Sequence, residues 1–282
     1  MTDRLASLLA HFSISAKTFH AGALCGINSM TGSDGLGQLH LIRQGEVKVM
    51  HGSKLVVHIN EPSLLLYAQP LARRFLTDKT KGAEFVCADL SFEDGKANPV
   101  TAALPAFVCL PLSSLRDSKP VLDLLFAEAA GTNCGRQKML DSLFEVLLIQ
   151  ILRELMEHHL VQSGMLAGMG HPRLRRALVA MHDQPKRDWS LSDLAVEAGM
   201  SRTSFANTFR DVVGVTPVQY LQNWRVGLVQ KLLVERHSMR QIADEVGYSS
   251  EAVLSRAFRT QTGTSPREWR KNHEDSCIVL QS

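Results

Sequence analysis

The sequence predicts an α+β protein of several domains, with a β-rich N-terminal half that ends in helices and an all-α C-terminal half. The chain has 282 residues, 45% of them hydrophobic and 21% charged, which is enough for two globular cores. Short apolar runs bounded by turn residues fill much of the N-terminal half, as strands do. One helical pattern occurs twice in the C-terminal third, which indicates two copies of the same structural unit.

The N-terminal half is expected to begin with a helix and to continue as a small antiparallel β-barrel or sandwich. Leu5, Leu8, Leu9 and Phe12 share one face of a helix over residues 3–12. Five apolar runs then alternate with turn residues at the spacing typical of such all-β folds. These runs cover residues 39–42, 46–50, 55–59, 64–67 and 85–90.

Two helices complete this half, over residues 120–129 and 138–159. The second is apolar around more of its circumference than one buried face requires. This favours contact with a second protomer, although a helix wholly buried in its own domain remains the alternative. We therefore expect a homodimer formed through the N-terminal domain. The residues assigned to the dimer helix are Leu140, Phe144, Leu147, Ile151 and Leu155.

The C-terminal half repeats the layout of a helix-turn-helix. Each copy has a short helix, a turn at a glycine and a second helix opened by a serine cap. A longer helix over residues 217–234 joins the copies. The matching positions are Ala195, Gly199, Ser201, Phe209 and Gly214 in the first copy and Ala243, Gly247, Ser249, Phe258 and Gly263 in the second.

Capping residues predict where the helices of the two copies begin. Ser190 with Asp193 resembles a capping box at the first helix of the first copy. Ser201 caps its second helix, and either Ser249 or Ser250 caps the corresponding helix of the second copy.

Basic charge collects where the repeat lies. Residues 1–170 contain 15 Lys/Arg and 16 Asp/Glu, whereas residues 171–272 contain 16 and 10. Contact with a polyanion requires such an asymmetry. Arg can bond guanine, Asn adenine and Glu cytosine, while hydroxyls and helix N-termini suit phosphate oxygens. The predicted DNA-binding residues are Arg202, Thr203, Ser204, Asn207, Arg210, Ser250, Glu251, Ser255, Arg256 and Arg259.

Composition divides the chain into four segments. A Gly- and Met-rich run over residues 162–170 indicates a linker. The expected boundaries are 1–164 for a sensing and dimerisation domain, 165–171 for the linker, 172–273 for the DNA-binding domain and 274–282 for a tail. The DNA-binding domain is expected to end in a short helix from Pro266 to Trp269. The tail contains Cys277 and has no predicted role.

The most specific motifs lie in the second copy, as Ile242-Ala243, Val246-Gly247-Tyr248, Ser255-Arg256, Phe258-Arg259, Gly263, Ser265-Pro266 and Trp269-Arg270. With Leu194-Ala195, Met200-Ser201 and Phe209-Arg210 of the first copy, they resemble the AraC/XylS family of bacterial transcription regulators. The resemblance implies a two-headed helical domain that inserts one helix of each head into the major groove of double-stranded DNA. It assigns base reading to Arg202, Thr203, Asn207, Glu251, Ser255 and Arg256.

The N-terminal half is similar to the cupin-type sensor domain of part of this family, which implies a cupin-like β-barrel. In the reactive-chlorine-responsive members, one Cys near the start of the barrel and another in a VCG-like strand form a redox pair. Cys25 in ALCGIN and Cys87 in FVCADLSF occupy comparable places. The resemblance implies oxidation of one thiolate and its capture by the other Cys as a disulfide. Two buried, inert thiols are the alternative.

A small anionic ligand is the alternative signal. His40, Arg43, Arg73 and Arg74 are candidates to line the barrel interior and to bind an anionic metabolite or nucleotide. Arg73 and Arg74 are equally compatible with a surface turn.

Other classes of function lack their motifs. The chain has no HxH with a following Glu, no P-loop and no GxSxG, so we expect no enzyme, no metal and no cofactor. No apolar segment is long enough to span a membrane, and no signal peptide is recognisable. We expect a cytoplasmic transcription regulator, either an activator or a repressor, with RNA polymerase as a candidate partner.

Overall fold

The computed structural model describes residues 3–30, 36–92, 98–158 and 160–279, with side chains up to Asn272. The chain divides into two compact units. The β-sheet unit comprises the described residues of Ser13–Lys96 and Val100–Leu160, and the helical unit those of Met1–Phe12, Ala97–Pro99 and Val161–Ser282. The predicted α+β architecture, with an all-α C-terminal part, is confirmed.

The β-sheet unit contains two antiparallel sheets. Its strands are β1 (Ile14–Leu24), β2 (Ile27–Met30), β3 (Gly37–Gln44), β4 (Val47–His51), β5 (Lys54–Ile59), β6 (Ser63–Tyr67), β7 (Arg73–Thr77), β8 (Ala83–Phe92) and β9 (Val108–Pro111). The strand orders are β1-β8-β3-β6-β9 and β2-β7-β4-β5. Among the described residues, no ladder joins the two sheets into a closed barrel.

Both sheets contribute to one core. Ile42 and Phe85 come from the five-stranded sheet, and Val49 and Phe75 from the four-stranded sheet, and all four are fully buried. Removing side chains of this size from water stabilises a fold by about 1.5–3 kcal/mol each. This shared apolar interior explains why the five strands with regular hydrophobic runs were predicted from sequence.

Helices α2 (Pro99–Ala103), α3 (Lys119–Ala130) and α4 (Arg136–Glu157) follow the long strand β8 in the chain. Helix α4 covers β1, which is an edge strand of the five-stranded sheet. The Thr18 amide donates to Asp141 Oδ1 at 2.7 Å, and Gln137 Nε2 donates to the Thr18 carbonyl at 2.8 Å. These bonds satisfy backbone groups that an edge strand would otherwise expose.

The residues predicted to form a dimer surface on α4 are instead buried within the chain. Leu140, Phe144, Leu147, Ile151 and Leu155 are all buried within the single chain. A second protomer cannot contact side chains that the chain itself covers, so this part of the prediction is wrong. The exposed apolar residues of α4 are Met139 and Val146, with Leu143 and Ile149 half-buried.

The helical unit begins with α1 (Ala6–His11) and resumes after the β-sheet unit. Its remaining helices are α5 (Met165–Gly170), α6 (Leu174–Asp183), α7 (Leu191–Glu197), α8 (Arg202–Val213), α9 (Pro217–Val234), α10 (Met239–Val246), α11 (Glu251–Thr262) and α12 (Pro266–Val279).

Helix α1 packs against α9 in the helical unit, which the sequence did not predict. The Phe12 ring is fully buried and lies edge-on to Trp224 with ring centroids 5.2 Å apart. Lys231 Nζ donates to the Ala10 carbonyl at 3.3 Å. Gly227 leaves room for Phe12, since a Cβ there would lie 3.3 Å from its ring. The β-sheet unit is therefore inserted in the chain between two parts of the helical unit.

The predicted linker over residues 165–171 is a buried helix instead. All residues of α5 up to Met169 are buried. Gly168 permits close packing, because a Cβ there would lie 2.6 Å from Leu178 and 2.9 Å from Val213. The Gly- and Met-rich composition thus reflects tight helix packing, and the linker prediction is wrong.

The last helix is longer than predicted. Helix α12 continues to Val279 and does not end at Trp269, so the predicted tail over residues 274–282 begins inside it. The side chain of Cys277 lies outside the described part of the structure, as do residues 280–282.

Candidate nucleic-acid interface and sensor residues

Helix α8 presents the first candidate reading surface. A turn at Gly199, where φ is +63°, leads to Ser201, whose hydroxyl accepts from the Ser204 amide at 3.3 Å. Phe205 and Phe209 are fully buried on the inner face. The opposite face is exposed, and its predicted contact residues are Arg202, Thr203, Ser204, Asn207 and Arg210.

Helix α11 presents the second. Ser250, rather than Ser249, is the N-cap, and its hydroxyl accepts from the Val253 amide at 3.3 Å. Leu254 and Phe258 are fully buried on the inner face. The predicted contact residues Ser250, Glu251, Arg256 and Arg259 are exposed, and Ser255 is half-buried.

Capping boxes open the first helix of both copies. Ser190 and Asp193 bond each other's backbone amides at α7, as predicted. The two bonds from Ser190 lower the pKa of the Asp193 carboxyl. At α10 the Ser238 hydroxyl accepts from the Gln241 amide at 3.3 Å, and Gln241 Oε1 accepts from the Ser238 amide at 3.0 Å. The second box was missed, although a Ser followed three residues later by Gln is its usual signature.

The two helix-turn-helix copies are tied to each other. Arg225 of α9 donates through Nε to the Pro185 carbonyl at 2.8 Å and through Nη2 to the Arg187 carbonyl at 3.0 Å. The turn at Gly247, with φ of +90°, lies against this same loop, since a Cβ there would lie 2.6 Å from the Lys186 backbone. These contacts hold the loop before the first copy on the turn of the second, so the two copies form one packed body.

Arginines on the two exposed faces carry charge that the described part of the chain does not neutralise. None of the four is in an ion pair with a described carboxylate. These arginines are Arg202, Arg210, Arg256 and Arg259. Guanidinium groups of this kind suit both phosphate oxygens and the guanine edge in the major groove.

A buried aromatic cluster joins α6 to α9 beneath these surfaces. His182 Nε2 lies 2.7 Å from the Tyr220 hydroxyl, and its ring stacks on Trp224 with centroids 3.8 Å apart. Burial lowers the pKa of His182 to about 3. The histidine is therefore uncharged at neutral pH, and the cluster carries no net charge.

The structure does not bring Cys25 and Cys87 together. Cys25 is exposed and lies beside Gly82, because a Cβ on Gly82 would be 2.6 Å from its Sγ. Cys87 is buried in β8, five residues after Gly82 in the chain, and pairs with His20 of β1. This places the two cysteines roughly 15 Å apart along the strand, whereas a disulfide needs Cα atoms within about 7 Å. Burial also raises the pKa of the Cys87 thiol.

Of the four predicted ligand-binding residues, only His40 and Arg73 meet. Arg73 Nη2 lies 2.7 Å from His40 Nε2, and both side chains are buried between the sheets. Arg74 is exposed, because successive residues of β7 point to opposite faces. Arg43 is also exposed and pairs with Glu84 at 3.3 Å. The prediction that Arg43 and Arg74 line the interior is therefore wrong.

His51 and His58 of the β-sheet unit have partners of their own. His51 Nε2 lies 3.0 Å from the Tyr67 hydroxyl, and His58 Nε2 lies 2.6 Å from Glu46 Oε1. No group of three or more His, Cys, Asp or Glu residues within the described ranges could hold a metal ion. Nor is any described helix long and apolar enough to cross a membrane.

Two protein-family models match the chain. A cupin model matches residues 3–157, and a helix-turn-helix domain model matches residues 194–272. The first match covers more than half of the chain and runs from α1 through the β-sheet unit. The second covers both candidate reading helices.

Bacterial transcription regulators are among the proteins that are similar to this chain. An uncharacterized HTH-type transcriptional regulator of Haemophilus influenzae is 29% identical over 84% of this chain and 87% of its own length. The RCS-specific HTH-type transcriptional activator RclR of Escherichia coli is 26% identical over 86% of this chain and 91% of its own length. The HTH-type transcriptional regulator AlkR of Acinetobacter baylyi is 35% identical over 62% of this chain and 58% of its own length.

Proposed function

Because the chain belongs to the AraC-type family of DNA-binding transcription regulators with an N-terminal cupin domain, we propose that it controls a promoter in the cytoplasm and that an oxidant acting on Cys25 changes its affinity for DNA. Regulation rather than catalysis is the activity. The observation that carries the DNA-binding part is the pair of capped, exposed helices α8 and α11 on one packed body.

Base reading is assigned to the exposed faces of both helices. Arg202 is the first residue of α8 and Arg256 the sixth of α11, so both lie in the N-terminal half of their helices, where recognition helices contact base edges. Asn207, Thr203, Glu251 and Ser255 complete the reading set, while Arg210 and Arg259 are suited to phosphates. The hydrogen bonds of Arg225 hold the two copies together, which supports insertion of both helices at the same time into successive major grooves, about 34 Å apart.

A homodimer formed through α4 completes the proposal. The exposed Met139 and Val146 and the half-buried Leu143 and Ile149 recur at helical spacing on the side of α4 that the chain does not bury. A two-fold dimer would pair this face with itself and present two copies of the helical unit to a promoter. Sedimentation velocity of the full chain measures the mass directly.

The oxidant proposal rests on the exposed thiol of Cys25 and on the likeness to RclR, which is named for its specificity to reactive chlorine species. The Cys25 thiolate would take the oxygen of hypochlorous acid, giving a sulfenic acid and releasing chloride. Cys25 directly follows the last residue of β1. Phe12 lies two residues before the first residue of β1 and is buried in the helical unit. Strand β1 thus connects the segment that carries the thiol directly to the helical unit.

The DNA arm of the test measures fluorescence anisotropy with double-stranded fragments from upstream of the protein's own gene. We expect Arg256→Ala to lose about 1–3 kcal/mol of binding free energy at one base pair and to relax the preference there. Arg267→Ala, an exposed arginine of α12, is the control and should bind as the unaltered protein does. An equal loss on every sequence would restrict Arg256 to phosphate contact.

The oxidant arm repeats the titration after brief hypochlorite and again after dithiothreitol. We expect a reversible change in affinity that Cys25→Ser abolishes and that Cys134→Ser, the matched exposed thiol, retains. Cys87→Ser then distinguishes a disulfide, which it would prevent, from a sulfenic acid on Cys25 alone. Affinity that hypochlorite leaves unchanged would refute the oxidant proposal and leave the DNA-binding function intact.

A further inference from the structure

The β-sheet unit buries a positive charge without a counter-ion. Arg73 is 2% exposed and forms no ion pair with any described carboxylate. Its guanidinium lies over the Tyr67 ring at 4.0 Å from the centroid and donates through Nη1 to the Leu71 carbonyl at 2.8 Å. An unneutralised charge in a protein interior is costly, and buried guanidinium groups are usually paired with an anion.

Hydrogen bonding around this charge is also incomplete. Arg73 can only donate, so His40 Nε2 accepts the bond from Arg73 Nη2. Burial and the charge of Arg73 keep the pKa of His40 well below its usual value. The uncharged ring must therefore carry its proton on Nδ1. Both His40 Nδ1 and Arg73 Nε are buried without a hydrogen-bond partner, which leaves two N–H donors without acceptors in one bonded pair.

No neighbouring group in the described part of the structure forms an ion pair with Arg73. Cys87 pairs with His40 across β8 and β3 and shares its face of the sheet. Burial raises the pKa of the Cys87 thiol and of the Tyr67 phenol, so both stay neutral. Asp89, two residues from Cys87 on β8, acts on Arg73 through its charge but forms no ion pair with it, and its Oδ1 accepts from Gln38 Nε2 at 2.6 Å.

We propose that Arg73 and His40 form a binding site for a small anion with two acceptor atoms, a carboxylate or another oxyanion of the size of formate or nitrate. The anion would accept from Arg73 Nε and from His40 Nδ1 and neutralise the guanidinium. A small size follows because the two residues are 0–2% exposed and are enclosed by Tyr67 and Phe75. The site is separate from Cys25 and does not depend on the response to oxidants.

Hydrogen exchange of the full chain, read by mass spectrometry, tests the site. A ligand that binds only the folded unit slows exchange through global opening in proportion to its concentration above the dissociation constant. Gluconate, which is too bulky to enter the site, is the background anion. Formate or nitrate replaces it stepwise at constant ionic strength. We expect the most protected amides of β3, β7 and β8 to exchange about tenfold more slowly for each tenfold rise in formate above that constant. Amides of the helical unit serve as an internal control and should not change.

Matched variants assign the effect to the site. Arg73→Met keeps an unbranched side chain without the charge and should abolish the formate dependence. Arg74→Met, the exposed neighbour on the same strand, should retain it. Asp89→Asn should bind formate more tightly, because it removes the nearby negative charge.

Three results would overturn the proposal, and the first two can be read even if the Arg73→Met variant fails to fold. The unaltered protein could show no dependence on formate or nitrate. Chloride or gluconate could slow exchange equally, which would indicate a general salt effect. A formate effect could also persist in a folded Arg73→Met protein, which would place the anion elsewhere.

Discussion

Each of the two units buries a histidine, and the partners of these histidines differ. In the helical unit His182 bonds the neutral Tyr220 hydroxyl and stacks on Trp224. In the β-sheet unit His40 bonds the guanidinium of Arg73. Both rings have Nε2 bonded and Nδ1 without a partner. The first pair is uncharged whereas the second carries a full positive charge.

This difference suits two kinds of ligand. Four arginines of the helical unit lie on the outer faces of α8 and α11, where a large polyanion can reach them, and no charged side chain is buried in the described part of this unit. The β-sheet unit places one arginine in its interior, where only a small molecule fits. A neutral interior folds without help, whereas a buried cation gains stability from a bound anion.

The strongest test of the helical unit's independence is Phe12→Ala. Phe12 is fully buried against Trp224 although it precedes the β-sheet unit in the chain. Truncating a buried Phe costs about 3–5 kcal/mol of unfolding free energy, and we expect that loss in the helical unit. All three tryptophans, Trp189, Trp224 and Trp269, lie in the helical unit, so denaturant unfolding followed by tryptophan fluorescence reports on it alone.

Phe19→Ala is the matched control for Phe12→Ala. Phe19 lies on β1 of the β-sheet unit and is 44% exposed, so its loss should leave the tryptophan transition within about 0.5 kcal/mol of the original. A tryptophan transition that Phe12→Ala does not shift would contradict the assignment of α1 to the helical unit.

The neutral pair of His182 and Tyr220 predicts a pH dependence of stability. The pKa of His182 is about 3 in the folded chain, below the ordinary value of 6.5. Below pH 6.5 the unfolded chain binds a proton that the folded chain does not, so stability falls as the pH falls. The loss is about 1.4 kcal/mol per pH unit, or about 2 kcal/mol at pH 5 relative to pH 7.5. Tryptophan-detected unfolding at a series of pH values measures it.

His182→Phe isolates this contribution from that of other titrating groups. Phe keeps an aromatic ring against Trp224 but cannot bind a proton, so the variant's stability should be less steep in pH between 7.5 and 5. The paired hydroxyl of Tyr220 loses its partner, which lowers stability equally at each pH. Equal slopes for the two proteins would mean that His182 is protonated in the folded state and that the interior of the helical unit is not neutral.

Sequence reasoning succeeded where a pattern is local. The caps Ser190 and Ser201 and the helix over residues 217–234 were predicted correctly, because the bonds of a cap and the spacing of a buried stripe involve neighbours in the chain. The exposed faces of α8 and α11 followed from the same periodicity. Family likeness then predicts DNA contact for these faces.

Long-range packing decided the features that the sequence did not reveal. Strand β1 lacks a simple alternation because α4 covers its edge, and the apolar face of α4 is buried there rather than exposed to a partner. Helix α1 has the same amphipathic pattern whether it packs on the sheets or on α9. The separate orientations of Arg73 and Arg74 required knowing that both belong to one strand.

The smallest expected effect concerns the cap of the second reading helix, where the sequence allowed two serines. The Ser250 hydroxyl accepts from the Val253 amide, so Ser250→Ala should cost about 1 kcal/mol of helical-unit stability. Ser249→Ala removes an exposed hydroxyl that caps no helix and should change stability by less than half as much. Tryptophan-detected unfolding of both variants ranks them. Because the Ser250 hydroxyl accepts a bond within its own helix, we expect it to affect DNA binding mainly by holding the N-terminus of α11 in place. Ser250→Ala should therefore weaken operator binding on all sequences alike. If Ser249→Ala lowered the stability more than Ser250→Ala does, Ser249 and not Ser250 would be the cap.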